Sequence, residues 1–160
     1  MTVTEQVADP SAAVVAFEVL GVPAPQGSKS AFIRGGKVRM VESASAIGRA
    51  KVRSWRAAVA EEARVHAATL DGPMDGPLHL AIEFRLPMPA SRPKRMRTLG
   101  MAWHTTKPDL SKLIRATEDA LTDAGLIRDD ARICALRVSK LQVVGWTGAR
   151  IRVARSVEGC

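Results

Sequence analysis

The sequence predicts an α+β domain: a single mixed β-sheet with a β-hairpin, covered by two α-helices. Three observations predict it. Leu78 to Leu86 alternates apolar and polar residues with the period of a strand. Two separate stretches carry apolar residues at helical spacing and end in glycine stop signals. Strand and helix signals interleave along 160 residues instead of segregating. A chain of that length buries roughly 68–70% of its unfolded surface and needs no disulfide or zinc to fold.

Residues 1–12 read as a loose tail, and residues 13–160 as one domain. Ala13 to Gly21 (AVVAFEVLG) is a strand ended by Pro23 and Pro25, followed by a turn at Gln26-Gly27-Ser28-Lys29. Phe32 to Val41 forms the hairpin, because Gly35-Gly36 supplies the positive φ angles of a two-residue turn. In that register Ile33 faces Val38, Ala31 faces Met40, and the other face carries Phe32, Arg34, Lys37 and Arg39. Arg34 opposite Lys37 is a like-charge pair that needs solvation or a phosphate.

Residues 45 to 70 form the first helix, with Val52, Trp55, Val59, Ala63 and Leu70 on its buried face and Asp71-Gly72-Pro73 as its stop. Arg49, Arg53, Arg56 and Arg64 make a second stripe, three of them in the half where the helix dipole disfavours cations. In the strand Leu78 to Leu86, His79, Glu83 and Arg85 point away from the core. Pro87 and Pro89 open a basic loop that runs to about Thr106. The second helix spans Leu110 to Ala124, with Leu110, Leu113, Ile114, Leu121 and Ala124 buried and Gly125 at the C-terminal cap. Two strands, near Arg132 to Val143 and Ala149 to Val157, close the domain.

Composition excludes several classes. Apolar residues make up 46% of the chain, which excludes intrinsic disorder. No apolar run reaches the ~20 residues of a membrane helix. The N-terminal residues lack the basic cap and apolar stretch of a signal peptide, so the expectation is a cytoplasmic protein without membrane contact. Cys134 and Cys160 match neither a disulfide framework nor a zinc signature. Aromatics are scarce, with three Phe, three Trp and no Tyr, which argues against a single-strand binder built on stacking platforms.

Charge points to a partner. The net charge is +8 and it is lopsided: residues 1–80 hold nine basic and eight acidic groups, residues 81–160 fifteen and eight. Arg85, Arg92, Lys94, Arg95 and Arg97 form a block free of acids. Such a block attracts polyanions, nucleic acid first among them. Against this background Asp109 opens the second helix and Asp129-Asp130 lies between that helix and the next strand. Carboxylates converging in a basic cleft are what a magnesium-dependent phosphodiesterase requires. The simpler readings are a helix N-cap for Asp109, worth ~1 kcal/mol, and a turn for the pair. His104, near Asp109 in sequence, reads as a loop residue; Trp103 and Trp146 fall in loops.

The stretch Lys107 to Ile133, KPDLSKLIRATEDALTDAGLIRDDARI, resembles the RusA family of Holliday junction resolvases, small endonucleases common on phages and prophages. The family pattern is K-P-D-x-D-N/K-L, then Lys or Arg, D-A-L, a glycine–hydrophobic pair, and D-D before a strand. Lys107-Pro108-Asp109, Leu113, Asp119-Ala120-Leu121, Gly125-Leu126 and Asp129-Asp130 match it, and Pro25 to Lys29 (PQGSK) is similar to actinobacterial and actinophage members. The resemblance implies a RusA-like homodimer that binds four-way DNA junctions and cuts symmetrically related strands with Mg2+, for which Mn2+ substitutes. By position it implies metal ligation by Asp109, Asp129 and Asp130. Asp109, Asp130 and Arg115 would be catalytic, Arg115 standing where the family has a lysine. A guanidinium there neutralises phosphate but releases no proton at ordinary pH. DNA contacts fall to Lys112, Lys107, Arg92, Lys94, Arg95, Arg97, Arg49, Arg53 and Arg56.

One position departs: the family's second aspartate is Ser111, a neutral and weak magnesium ligand. Glu118, seven residues along and ~10 Å away by helix rise, is a poor direct replacement. The rival reading is therefore a protein of the same fold that grips branched DNA without cutting it, and a third is a basic structural or RNA-associated protein. Geometry adds a constraint. Fifteen helical residues carry the chain about 22 Å from Asp109, and Gly125 to Asp130 spans at most roughly 20–22 Å. Either the helix is shorter, or the acidic cluster lies against a dimer seam.

Overall fold

The computed structural model describes residues 14–27, 29–42 and 45–156. The expected N-terminal tail, and the last strand's end at Val157, lie outside the described residues. The chain runs β1 (Val14–Leu20), β2 (Lys29–Arg34), β3 (Lys37–Glu42), α1 (Ala46–Ala67), β4 (Leu78–Pro87), α2 (Lys94–Leu99), β5 (Met101–Trp103), α3 (Leu110–Asp123), a 3-10 turn (Asp130–Arg132), β6 (Ile133–Val143) and β7 (Gly148–Arg155). The sheet is mixed, with order β1-β7-β4-β6-β5 and β4–β6 as its parallel pair. The hairpin β2–β3 forms its own two-stranded sheet in the expected register, Ile33 opposite Val38 and Arg34 opposite Lys37.

β4 lies between β6 and β7, hydrogen-bonded along both backbone edges. Leu78, Leu80, Ile82, Phe84 and Leu86 are buried under the helices, as their alternation predicts. α1 contributes Val52, Trp55, Val59, Ala60 and Ala63 to the same core, and α3 contributes Leu113, Ala116, Thr117, Ala120 and Leu121. Thr117 is a buried polar residue with both capacities used: its hydroxyl donates to the Leu113 carbonyl (3.0 Å) and accepts from the Trp55 indole (3.3 Å).

Helix ends follow the local chemistry. The Ser45 hydroxyl accepts from the Gly48 amide and caps α1. Gly125, at φ +72°, ends α3 with the Leu126 amide reaching the Leu121 carbonyl and the Gly125 amide the Thr122 carbonyl, a Schellman cap over two fully buried leucines. Gly148 starts β7 where the backbone of β1 crosses so closely that a Cβ would sit 1.8 Å from the Val19 carbonyl oxygen.

Three expectations are corrected. The basic stretch after Pro89 is no continuous loop; it folds into α2 and β5, so the helices number three among the described residues. α1 ends at Ala67, leaving Leu70 beyond it yet still packed on the core. Arg85 points away from the helices as expected but is buried. Its guanidinium donates to Glu83 (3.0 Å) and to the Trp146 carbonyl, and stacks 4.4 Å from the Trp146 ring. Arg85 thus leaves the polyanion-binding block, and Trp146 is a packing partner of Arg85 and Arg150.

Candidate active site on helix α3

The first turn of α3 holds Asp109, Ser111 and Lys112, all close to the surface. Asp109 is at the N-cap position, but its carboxylate makes no capping hydrogen bond. Instead it lies 3.6 Å from the Lys112 ammonium, one turn on. The plain N-cap reading therefore fails for the side chain, which remains half-exposed at the mouth of the helix.

The approach to Asp109 is held by a residue that sequence patterning passed over. Lys140 on β6 donates to the carbonyls of Thr106 and Pro108, each at 2.7 Å. The His104 amide bonds the Lys140 carbonyl, and His104 Nδ1 lies 3.1 Å from the Thr106 oxygen. The Lys107–Pro108 bond in this loop is cis. Burial, then the positive charges of Lys140 and Arg92, hold His104 below its ordinary value, so the imidazole is neutral at pH 7. Sequence carries no signal for Lys140, because its place beside Phe84 of β4 arises only when β6 pairs with that strand.

A further carboxyl, Glu118, feels the charge of the Asp129-Asp130 turn. Asp130 approaches the middle of α3, where its charge, after burial and together with Asp119, pushes the Glu118 carboxyl up from its ordinary range. Arg115 opposes that shift. Glu118 is nine residues beyond Asp109, about 13 Å by helix rise. It therefore acts with Asp130 and stays too far along the helix to replace an acid at Ser111. α3 is only slightly shorter than expected, 14 residues. Asp129 accepts from the Ala131 amide (2.8 Å) and caps the 3-10 turn, as the turn reading holds. The loop is braced from behind: Asp75 pairs with Arg128 (2.6 Å) and Arg132 (3.1 Å), and its carboxyl is lowered, first by the Gly76 amide and then by these arginines. Among the described residues no three His, Cys, Asp or Glu side chains are grouped closely enough to hold a metal ion by themselves.

The remaining DNA-contact candidates divide by partner. Lys94, Arg95 and Lys107 are exposed. Arg92 donates to Gln142 (3.1 Å), and Arg97 to the Ala90 carbonyl (3.1 Å), so both also brace the α2 region. Arg49 and Arg53 border a shallow groove on α1 with Val52 and Arg56. Arg56 is turned to α3, where it pairs with Asp119 (3.6 Å) and Asp123. Its place in the arginine stripe reflects helix-to-helix bracing.

No helix among the described residues is long and apolar enough to cross a membrane. The family described as Endodeoxyribonuclease RusA matches residues 22–154. Over 131 residues the chain is 30% identical to the "Uncharacterized protein YqaN" of Bacillus subtilis (strain 168), covering 79% of this chain and 86% of that relative.

Proposed function

The chain belongs to the RusA endodeoxyribonuclease family, and from that premise we propose that it is a magnesium-dependent endonuclease. It resolves four-way DNA junctions by phosphodiester hydrolysis, as a homodimer, in recombination and repair. The setting is a bacterial cytoplasm, on a phage or prophage genome. One observation carries this reading: the family match spans α3, a helix with Asp109 at its N-cap, and the Asp129-Asp130 turn that follows it.

The donor set suits a hard divalent ion that keeps several waters and completes its shell with substrate phosphate, for which one or two protein carboxylates suffice. Glu118 and Asp130 repel one another, and an added cation relieves that repulsion. Mg2+, or Mn2+ in its place, would be held by Asp109, Asp129 and Asp130, with Glu118 on the Asp130 side, remote from Asp109. When bound it supplies Lewis acidity at the phosphate and an acidified water. The chain's own residues do the rest. Arg115 and Lys112 neutralise the scissile phosphate, and Arg115 does so without proton transfer. Lys140 keeps the 106–108 backbone in place and with it the position of Asp109. Lys94, Arg95, Lys107 and Arg53 attract the DNA arms.

Ser111 motivates a second reading. It is exposed on α3 and uncharged where the family has an aspartate, so a protein that grips branched DNA without cutting it is the alternative. A labelled four-way junction with and without magnesium separates the readings. Symmetric nicks that vanish in Asp109→Asn are the expected result. A tight, salt-sensitive complex without nicks supports the binder, and Ser111→Asp then raises cleavage. Equal affinity for junction, duplex and RNA would sink both.

A further inference from the structure

The hairpin β2–β3 has an exposed tip, Ile33, Gly35, Gly36, Lys37 and Val38, that lies outside both the core and the carboxylate site. It pairs with no strand of the five-stranded sheet. Its root is fixed beside α3, where the Gln26 amide donates to the Lys112 carbonyl (3.1 Å) three residues before the hairpin begins at Lys29. Its tip is Gly35-Gly36, both with left-handed φ (61° and 72°), the two-residue turn that matches the twist of the flanking strands.

The residues next to that tip are costly in water. Ile33 and Val38 are cross-strand partners, yet 75% and 68% exposed. The outermost pair, Arg34 opposite Lys37, places like charges across the ladder. The sequence of the hairpin, residues 29–42, contains Lys29, Arg34, Lys37 and Arg39 and a single acid, Glu42. An exposed aliphatic pair inside a cationic ribbon has one partner chemistry that relieves both costs: phosphates for the cations and base faces for the aliphatic side chains.

We propose that this hairpin is a DNA-inserting arm, with its cations on the phosphates and Ile33 and Val38 wedged between bases at the branch point. The inference rests on the reading above that the substrate is branched DNA. A two-stranded ribbon fits a DNA groove. Ile33 and Val38 carry no donor or acceptor with which to read base edges, whereas aliphatic side chains at such positions serve to unstack a base step. Unstacking costs least where a base pair already lacks a neighbour, which is the centre of a junction. The arm's root at Lys112 places it next to the turn that carries Asp109.

The test is a four-way junction with 2-aminopurine at the branch point, titrated with the full-length protein in EDTA and read by fluorescence and anisotropy. The wild-type protein raises the fluorescence. The double variant Ile33→Ser/Val38→Ser, altered only at exposed positions, keeps its affinity within about threefold because phosphate contacts supply most of it, and the fluorescence rise is lost. Lys37→Gln lowers the slope of log affinity against log salt by about one. A double variant with an undiminished rise overturns the proposal, as does a wild type that binds without any rise. So does conversion of a dimer to a monomer by the double variant, which makes the tip a contact between copies. The readout needs no metal, so absent cleavage leaves the arm standing. Cleavage without a rise removes the arm and leaves the nuclease.

Discussion

Replacing Lys140 with methionine keeps the length of the side chain and removes its charge. In the folded protein that ammonium donates two hydrogen bonds of 2.7 Å, to the Thr106 and Pro108 carbonyls, from a half-buried position. Hydrogen bonds from a charged group contribute about 1.5–3 kcal/mol each. The Thr106 region is open to water, which recovers part of the loss. The expected net cost is therefore about 1.5–3 kcal/mol, or a fall in Tm of roughly 3–12 °C for a chain of this size. His104 supplies a second readout that a general loss of packing does not move. Its pKa is lowered by burial first and by Lys140 second, so Lys140→Met moves it back toward the ordinary histidine value. The sign for stability follows from the lowered folded value. The unfolded chain takes up a proton before the folded one does, so stability falls as pH drops below the ordinary histidine range and levels off beneath the folded value. That acid-side slope becomes shallower in the variant. Urea unfolding at several pH values, with NMR titration of the His104 ring, checks both expectations. An unchanged midpoint together with an unchanged His104 titration would refute the clamp.

Gly148→Ala places a methyl 1.8 Å from the Val19 carbonyl oxygen, at a φ of +147°. The expected cost is about 3 kcal/mol or more, read as a lower urea midpoint. Glu118→Gln removes a carboxyl held above its ordinary value by burial and by Asp130 and Asp119. A raised folded value gives stability that is present at low pH and lost as pH rises through it, so the difference in stability between wild type and variant shrinks or reverses as pH rises toward neutral. Millimolar Mg2+ is expected to raise the Tm of the wild type more than that of the variant, and equal shifts would count against Glu118 as part of the ion's surroundings. Arg56→Ala costs about 1 kcal/mol, since its pairs are partly open to solvent, and leaves junction affinity unchanged. Arg53→Ala weakens that affinity and flattens its salt dependence.

Much of the architecture can be read from the chain. β4, α1, α3 and the hairpin register are settled by period, by the Gly35-Gly36 turn and by the Gly125 stop, because backbone preference and apolar alternation act over a few neighbouring residues. The motif that assigns the chain to its family is likewise a string of neighbours, Lys107 to Ile133. α2 and β5 were hidden because the stretch between Pro89 and Thr106 is short and basic and has no apolar period of its own. β5 is a strand through its pairing with β6, and α2 has no buried residue.

What only the tertiary structure decided is which partner each charged side chain meets. A count of cations treats Arg56, Arg85 and Lys140 as equivalent to Lys94. Packing spends the first on α3, the second on Glu83 and Trp146, and the third on the backbone before Asp109. In the same way the return of the chain after Gly125 brought Asp130 to Glu118, a neighbour that helix spacing from Asp109 does not indicate. Local sequence determines a residue's backbone conformation and the face it occupies. The charge it meets across space depends on how elements far apart in the chain are aligned, and electrostatic energy at these short distances changes steeply with that alignment.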